Sequence, residues 1–115
     1  MNDYPLVKIT NSTAYVVEGE VKYCSIFCSN DDYIVAAGTS WEAKSRGVCL
    51  VKEITATVNV NGNKIKAESY KSSGTSYSQF AVVNMGNNEF SVTRVVNGEK
   101  DTPPVDYIEP TSQQK

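Results

Sequence analysis

The sequence predicts an all-β protein, an antiparallel β-sandwich of about seven to eight strands, and three observations support this fold class. The 115 residues include 15 Val, 6 Ile and 9 Thr but only 2 Leu, and β-branched side chains favour strands over helices. Apolar and polar residues alternate with a period of two over several segments. The 10 Asn and 7 Gly of the chain supply residues suited to the turns between such strands.

The first long strand is predicted from Tyr15 onward. Every second residue from Tyr15 to Phe27 falls on one face, and this face is mostly apolar, whereas the other carries charged residues such as Glu18 and Lys22. This pattern indicates a half-buried strand. Gly19 predicts a bulge or bend in its middle. Shorter strands are predicted around it, over residues 6–9 and 33–37.

A hairpin is predicted around Asn61-Gly62. The preceding strand places Val48, Leu50, Ile54, Ala56, Val58 and Val60 on one face. Asn-Gly supplies the two positive φ angles of a type I′ turn, and a two-residue loop there pairs Val58 with Ile65. The apolar faces of the two arms then coincide, which supports this register.

A second hairpin is predicted between residues 77–85 and 90–96. A two-residue turn at Gly86-Asn87 sets Val83 opposite Phe90, so that two side chains predicted to be buried face each other. The Ser/Gly-rich segment from Lys71 to Ser76, which separates the two hairpins, is predicted to be a loop.

One sandwich domain is predicted over residues 1–97, followed by a Pro-containing tail or linker over residues 98–115. The tail holds three of the four prolines and ends in Gln-Gln-Lys, so it has little apolar area to bury and is predicted to be disordered. The N-terminus lacks the pattern of a signal peptide. We therefore expect a cytoplasmic protein, a mature secreted form, or export by another route.

Composition excludes several classes of function. The chain has no His, which rules out Ser-His-Asp, Cys-His and His-ligated metal chemistry within it. An enzyme is the least supported class, and no cofactor or metal is expected. The 11 basic and 13 acidic residues nearly balance, so a broad phosphate-binding surface for nucleic acid is not expected either.

The three cysteines allow at most one internal disulfide. On a continuous strand Cys24 and Cys28 would lie about 13 Å apart, beyond the roughly 7 Å that a disulfide spans. The favoured pair is therefore Cys28 with Cys49, which leaves Cys24 free. Three reduced thiols are the alternative.

Three polar segments between strands, residues 30–33, 41–46 and 72–77, form the predicted binding edge. Aromatic rings beside hydroxyl and carboxylate groups suit the stacking and hydrogen bonding of a sugar. A structural role for Trp41, closing one end of the sandwich, is the alternative, and Asx turns are favoured over a calcium site in the loop 29–32. The candidate ligand-binding residues are Asn30, Asp31, Asp32, Tyr33, Trp41, Arg46, Ser73, Thr75 and Tyr77.

The sequence therefore predicts a non-catalytic recognition module, a small lectin-like sandwich that binds a carbohydrate or a cell-surface glycan through its loops. A second hypothesis is a membrane-active defence protein, since the predicted architecture resembles small fungal and cnidarian cytolysin-like sandwiches. In that case Trp41, Tyr33 and Tyr77 would contact membrane lipid, near Lys44 and Arg46. A third hypothesis is a structural or assembly subunit, in which exposed strand edges and the Pro-containing tail join neighbouring copies into a homo-oligomer.

Overall fold

The computed structural model describes residues 3–95, which form two packed β-sheets with no helix among them. The predicted sandwich is thus confirmed, whereas the predicted tail lies outside the described residues. The strands are β1 (Lys8–Asn11), β2 (Val16–Tyr23), β3 (Asp31–Val35), β4 (Ser40–Glu42), β5 (Val51–Val60), β6 (Asn63–Lys66), β7 (Tyr70–Thr75), β8 (Gln79–Gly86) and β9 (Glu89–Arg94).

The smaller sheet has the order β4-β1-β8-β9, and the larger has β3-β2-β5-β6 with β7 also paired to β5. All neighbouring strands are antiparallel except β1 and β8, which run parallel. The described residues contain nine strands, two of them not predicted. One is β4, which has three residues. The other is β7, which occupies most of the segment 71–76 that was predicted to be a loop.

Strands β2 and β5 carry the centre of the core. Val17 lies opposite Val58 and Val21 opposite Ile54, and all four side chains are fully buried. The predicted alternation is present from Val17 to Tyr23 and stops there. Phe27 does not continue the buried face, because the chain turns after Tyr23.

A bulge in β5 changes which residues face inward. Lys22 pairs with Glu53 but Tyr23 pairs with Val51, so Lys52 is an extra residue in the ladder. An extra residue reverses the inward–outward parity on its far side. For this reason Val51 is fully buried. The prediction that Val48 belongs to the core face is wrong, since Val48 lies in a turn before β5 and is 47% exposed.

The first hairpin has the predicted register. Val58 lies opposite Ile65, and Asn61 and Gly62 adopt φ angles of 52° and 89°. Both angles are in the left-handed region that this two-residue turn requires.

The predicted register of the second hairpin is wrong by one residue. Its positive-φ turn residues are Asn87 and Asn88, and Phe90 lies opposite Asn84 instead of Val83. The turn on Asn87 and Asn88 alone would set Phe90 opposite Met85, and the register shift between Asn84 and Gly86 moves it to Asn84. As a result Val82 is fully buried, whereas Val83 is only half-buried.

Gly19 allows a close approach and does not form the predicted bulge, since the pairing of β2 continues through it without a shift. The Tyr33 side chain donates a hydrogen bond of 2.6 Å from its hydroxyl to the Thr55 carbonyl oxygen. A Cβ at position 19 would overlap that carbonyl and lie 2.8 Å from the Tyr33 hydroxyl oxygen. Only glycine leaves the room for this contact.

Two contacts join the sheets at their sides. The buried Asn11 amide of β1 donates to the carbonyls of Tyr15 and Val35, at 2.7 and 3.0 Å. On the other side Glu68 pairs with β9: its N–H donates to the Phe90 carbonyl and its carbonyl accepts from the Val92 N–H, both at 2.8 Å. Glu68 therefore covers part of the edge of β9.

Candidate functional site

A cleft of about 410 Å³ opens between the β2–β3 turn and the segment that precedes β5. Its lining combines two aromatic rings, hydroxyl groups and charged side chains. The residues that line it are Tyr23, Phe27, Cys28, Ser29, Asp31, Ser45, Arg46, Gly47 and Cys49.

A disulfide holds the two walls of the cleft together. It joins Cys28 to Cys49, the pair that the sequence analysis favours, with 6.2 Å between the Cα atoms. Cys24 is an exposed free thiol. Within the β2–β3 turn, the Cys28 N–H donates to the Ser25 carbonyl at 3.0 Å and the Phe27 N–H donates to the Ser25 Oγ at 3.1 Å. The turn is thus fixed by hydrogen bonds and by a covalent bond across the cleft.

Arg46 lines the cleft and acts as a structural tie. The residue is only 5% exposed, and its guanidinium donates hydrogen bonds to four backbone carbonyls. These belong to Cys49 (2.8 Å), Pro5 (3.0 Å), Tyr77 (3.1 Å) and Thr75 (2.9 Å). The sequence analysis assigned Arg46 to ligand binding, but its donors are directed at the protein backbone. This placement argues for a role in holding three segments of chain together.

Asp31 is the predicted ligand-binding residue that presents a carboxylate in the cleft. The Tyr23 hydroxyl donates to Asp31 Oδ2 at 2.8 Å. Burial and the neighbouring Asp31 raise the pKa of Tyr23 well above its usual range, and the nearby Arg46 charge opposes this only in part. Tyr23 therefore stays protonated and orients the carboxylate, which keeps further acceptor positions for a ligand.

Phe27 is the aromatic wall of the cleft, and sequence reasoning missed it. Its side chain is 92% exposed, although the alternation from Tyr15 assigned it to a buried face. The sequence feature that could have indicated the exposure of Phe27 is the neighbouring Cys28. A cysteine predicted to cross-link at the end of a strand, followed by Ser29 and Asn30, indicates a turn in which Phe27 has no core to enter.

The other predicted aromatic residues lie elsewhere. Tyr33 is 3% exposed, and its ring packs at 5.4 Å from the half-buried ring of Trp41. This contact favours the structural alternative for Trp41 named above. Burial raises the pKa of Tyr33 well above its usual range. Tyr77 is half-buried, with the Arg94 guanidinium 3.3 Å from the centre of its ring. None of these three rings lines the cleft.

The remaining predicted polar residues are also dispersed. Thr75 is fully buried, and Ser73 is exposed on β7. Asp32 is exposed in a separate groove on the outer face of the larger sheet. Of the nine predicted ligand-binding residues, the structure brings only Asp31 and Arg46 into the cleft.

Asn30, in the loop 29–32, forms two hydrogen bonds with residues of β2. Asn30 Oδ1 accepts from the Tyr23 N–H at 3.4 Å, and its Nδ2 donates to Glu20 Oε2 at 3.3 Å. Both contacts join the loop to β2, and neither is an Asx turn, because the partners are seven and ten residues away along the chain and one of them is a side chain. Across residues 3–95, no three His, Cys, Asp or Glu side chains are grouped so that they could hold a metal ion.

No helix within the described part of the chain is long and apolar enough to cross a membrane. Comparisons with protein-family models, with curated proteins and with solved structures found no match to this chain. The functional proposal below therefore rests on the geometry of the cleft.

Proposed function

We propose that this protein is a non-catalytic carbohydrate-binding module whose ligand occupies the cleft closed by the Cys28–Cys49 disulfide. The observation that carries the proposal is the exposed Phe27 ring, which lines the same cleft as the Asp31 carboxylate and the side chains of Ser29 and Ser45. The volume of about 410 Å³ is typical of sites for small ligands, which span roughly 300–1,000 Å³.

The residue types suit the two faces of a sugar ring. The C–H face of a sugar is weakly apolar and stacks on an aromatic ring, and Phe27 is exposed enough to offer one. The hydroxyl groups of a sugar donate to a carboxylate, and Tyr23 holds the Asp31 carboxylate in place. The Phe27 ring, on which the sugar stacks, and the Asp31 carboxylate, which accepts its hydrogen bonds, together define the orientation of the ligand.

The charges favour a neutral or an amino sugar. The Asp31 carboxylate would repel an anionic ligand. The Arg46 guanidinium, the cation that lines the cleft, is engaged with four backbone carbonyls. Sialic acids and uronic acids are therefore the poorest candidates.

The disulfide agrees with a protein that meets cell-surface glycans. Disulfides persist in oxidising compartments outside the cytosol, where glycans are displayed. Assembly through strand edges is less well supported, because Glu68 already pairs with Phe90 and Val92 along β9.

The test is a glycan array followed by titration calorimetry on the best neutral sugar. We expect Asp31→Asn to weaken binding about tenfold or more, because it removes a charge-assisted hydrogen bond. Phe27→Ala should cost a similar factor through lost stacking. Asp32→Asn and Ile34→Ala are matched controls, since both residues are exposed on the outer face of β3 and away from the cleft.

Two results would contradict the proposal. One is the absence of any sugar signal for the folded, disulfide-bonded protein. The other is binding that Asp32→Asn weakens as much as Asp31→Asn does, because the ligand would then lie outside the cleft.

A further inference from the structure

Two exposed apolar side chains beside the cleft do not line it, and we call them the tip: Ile26 in the β2–β3 turn and Val48 in the segment that precedes β5. Ile26 is 93% exposed and Phe27 is 92% exposed. Val48 is 47% exposed and precedes Cys49, the residue cross-linked to Cys28. Phe27 lines the cleft, but Ile26 and Val48 do not. Carbohydrate binding therefore leaves these two exposed side chains unexplained.

The tip is held in this exposed position. The hydrogen bonds from the N–H groups of Cys28 and Phe27 to Ser25 fix the turn, and the disulfide fixes its base. Ile26 consequently stays directed into solvent, beside the opening of the cleft.

We infer that the ligand is a neutral glycolipid displayed on a membrane, with its sugar in the cleft and Ile26 and Val48 in contact with the lipid interface. This inference rests on the proposed carbohydrate-binding function, because the same cleft would hold the sugar. A glycolipid presents a sugar directly above an apolar layer. The molecule presents the matching pair, a cleft directly beside an apolar tip.

A lipid surface fits this tip better than a protein partner does. Ile26 and Val48 together expose far less apolar area than the roughly 800 Å² that a stable protein interface needs from each partner. Ile26 is also almost fully exposed, so a protein partner would need a complementary pocket to receive it. The interfacial region of a bilayer accepts apolar and aromatic side chains without such a pocket.

The experiment compares membrane-bound with free sugar. Sedimentation is measured with phosphatidylcholine vesicles that carry glucosylceramide or galactosylceramide, and with vesicles of phosphatidylcholine alone. Calorimetry gives the affinity for free methyl glucoside and methyl galactoside. We expect the glycolipid vesicles to bind at least about tenfold more tightly than the matching free sugar, because burial of one isoleucine is worth about that factor.

The variants Ile26→Ser and Val48→Ser separate the tip from the cleft. Ile26→Ser should remove most of the gain on vesicles and leave the affinity for free sugar unchanged. Val48→Ser should have a smaller effect in the same direction, because Val48 is only about half exposed. Ile34→Ser is the matched control: this isoleucine is 69% exposed on the outer face of β3, and its replacement should change neither affinity.

Each contrary outcome identifies what has failed. Equal affinity for free and vesicle-bound sugar would overturn the inference and leave the carbohydrate proposal standing. Equal binding to vesicles without glycolipid would also overturn it, because the tip would then act without the sugar. Binding to none of these probes would overturn it as well, while the glycan array decides the carbohydrate proposal separately.

Discussion

The substitution Arg46→Lys tests whether the hydrogen bonds of the Arg46 guanidinium stabilise the fold around the cleft. Arg46 is buried and donates to the carbonyls of Pro5, Cys49, Thr75 and Tyr77. Lysine keeps the positive charge but lacks the planar fork of five donors, so one ammonium group cannot satisfy four separated carbonyls. If Arg46 is a structural tie, the variant loses stability; if it serves only a ligand, stability stays the same.

The magnitude follows from the number of carbonyls that lose their donor. A buried polar group left without a partner costs about 1–3 kcal/mol. We take two of the four carbonyls as unpaired in Arg46→Lys, which gives a loss of about 2 kcal/mol at the low end of that range. Arg46→Met affects all four and costs about 4 kcal/mol or more. Since domains of this kind are stable by only about 5–15 kcal/mol, that variant would be marginally folded.

Urea unfolding followed by circular dichroism measures the effect. With a slope of about 2 kcal/mol per molar urea, Arg46→Lys should lower the midpoint by about 1 M. Lys44→Met is the control, because Lys44 is exposed in the same segment and exposed positions change stability by only about 0.5 kcal/mol or less. A midpoint for Arg46→Lys that matches the control would refute the structural role.

Three further predictions concern the fold. Val82→Asp should prevent folding, because Val82 is fully buried and the variant would bury an unpaired carboxylate, whereas Val83→Asp should remain folded by circular dichroism; the opposite result would favour the other register of the hairpin. Gly19→Ala should cost about 2 kcal/mol or more in urea unfolding, because its Cβ would overlap the Thr55 carbonyl, and an unchanged midpoint would mean that no close approach exists there. The raised pKa of Tyr33 predicts a stability that is full below the unfolded tyrosine pKa of about 10 and falls above it, by up to about 1.4 kcal/mol per pH unit for this group. Urea midpoints across this range should fall less steeply in Tyr33→Phe, and an equal slope in both proteins would contradict the burial of the Tyr33 hydroxyl.

The sequence predicts strand pairing well where one turn residue pair is unambiguous. Asn61-Gly62 is such a pair, and the hairpin has the predicted register. In the second hairpin, Gly86, Asn87 and Asn88 all accept positive φ, so more than one two-residue turn is chemically suitable. The register shift near Gly86 then decides the pairing, and it depends on tertiary packing.

Bulges and cross-links account for the parts of the site that the sequence did not predict. In the sequence, the alternation of apolar and polar residues continues from Tyr23 to Phe27. In the structure, the chain turns after Tyr23 and leaves Phe27 exposed. The extra residue Lys52 reverses the parity of β5 at Val51, and Val48 lies in the turn before this strand and is exposed. Asp31 was identified because a carboxylate at a strand end is visible in the sequence. Its partner Tyr23 was assigned to the core, since a hydroxyl contact across the β2–β3 turn is a tertiary feature.

The most direct test of the account is an NMR titration of the folded protein with the neutral sugar that binds best on the array. We predict that amide shifts change at residues 27–31 and 45–49, the two walls of the cleft, and stay constant at the Asn61-Gly62 turn. Shift changes concentrated around Trp41 and Ser73, with residues 27–31 unaffected, would contradict the assignment of the cleft as the binding site.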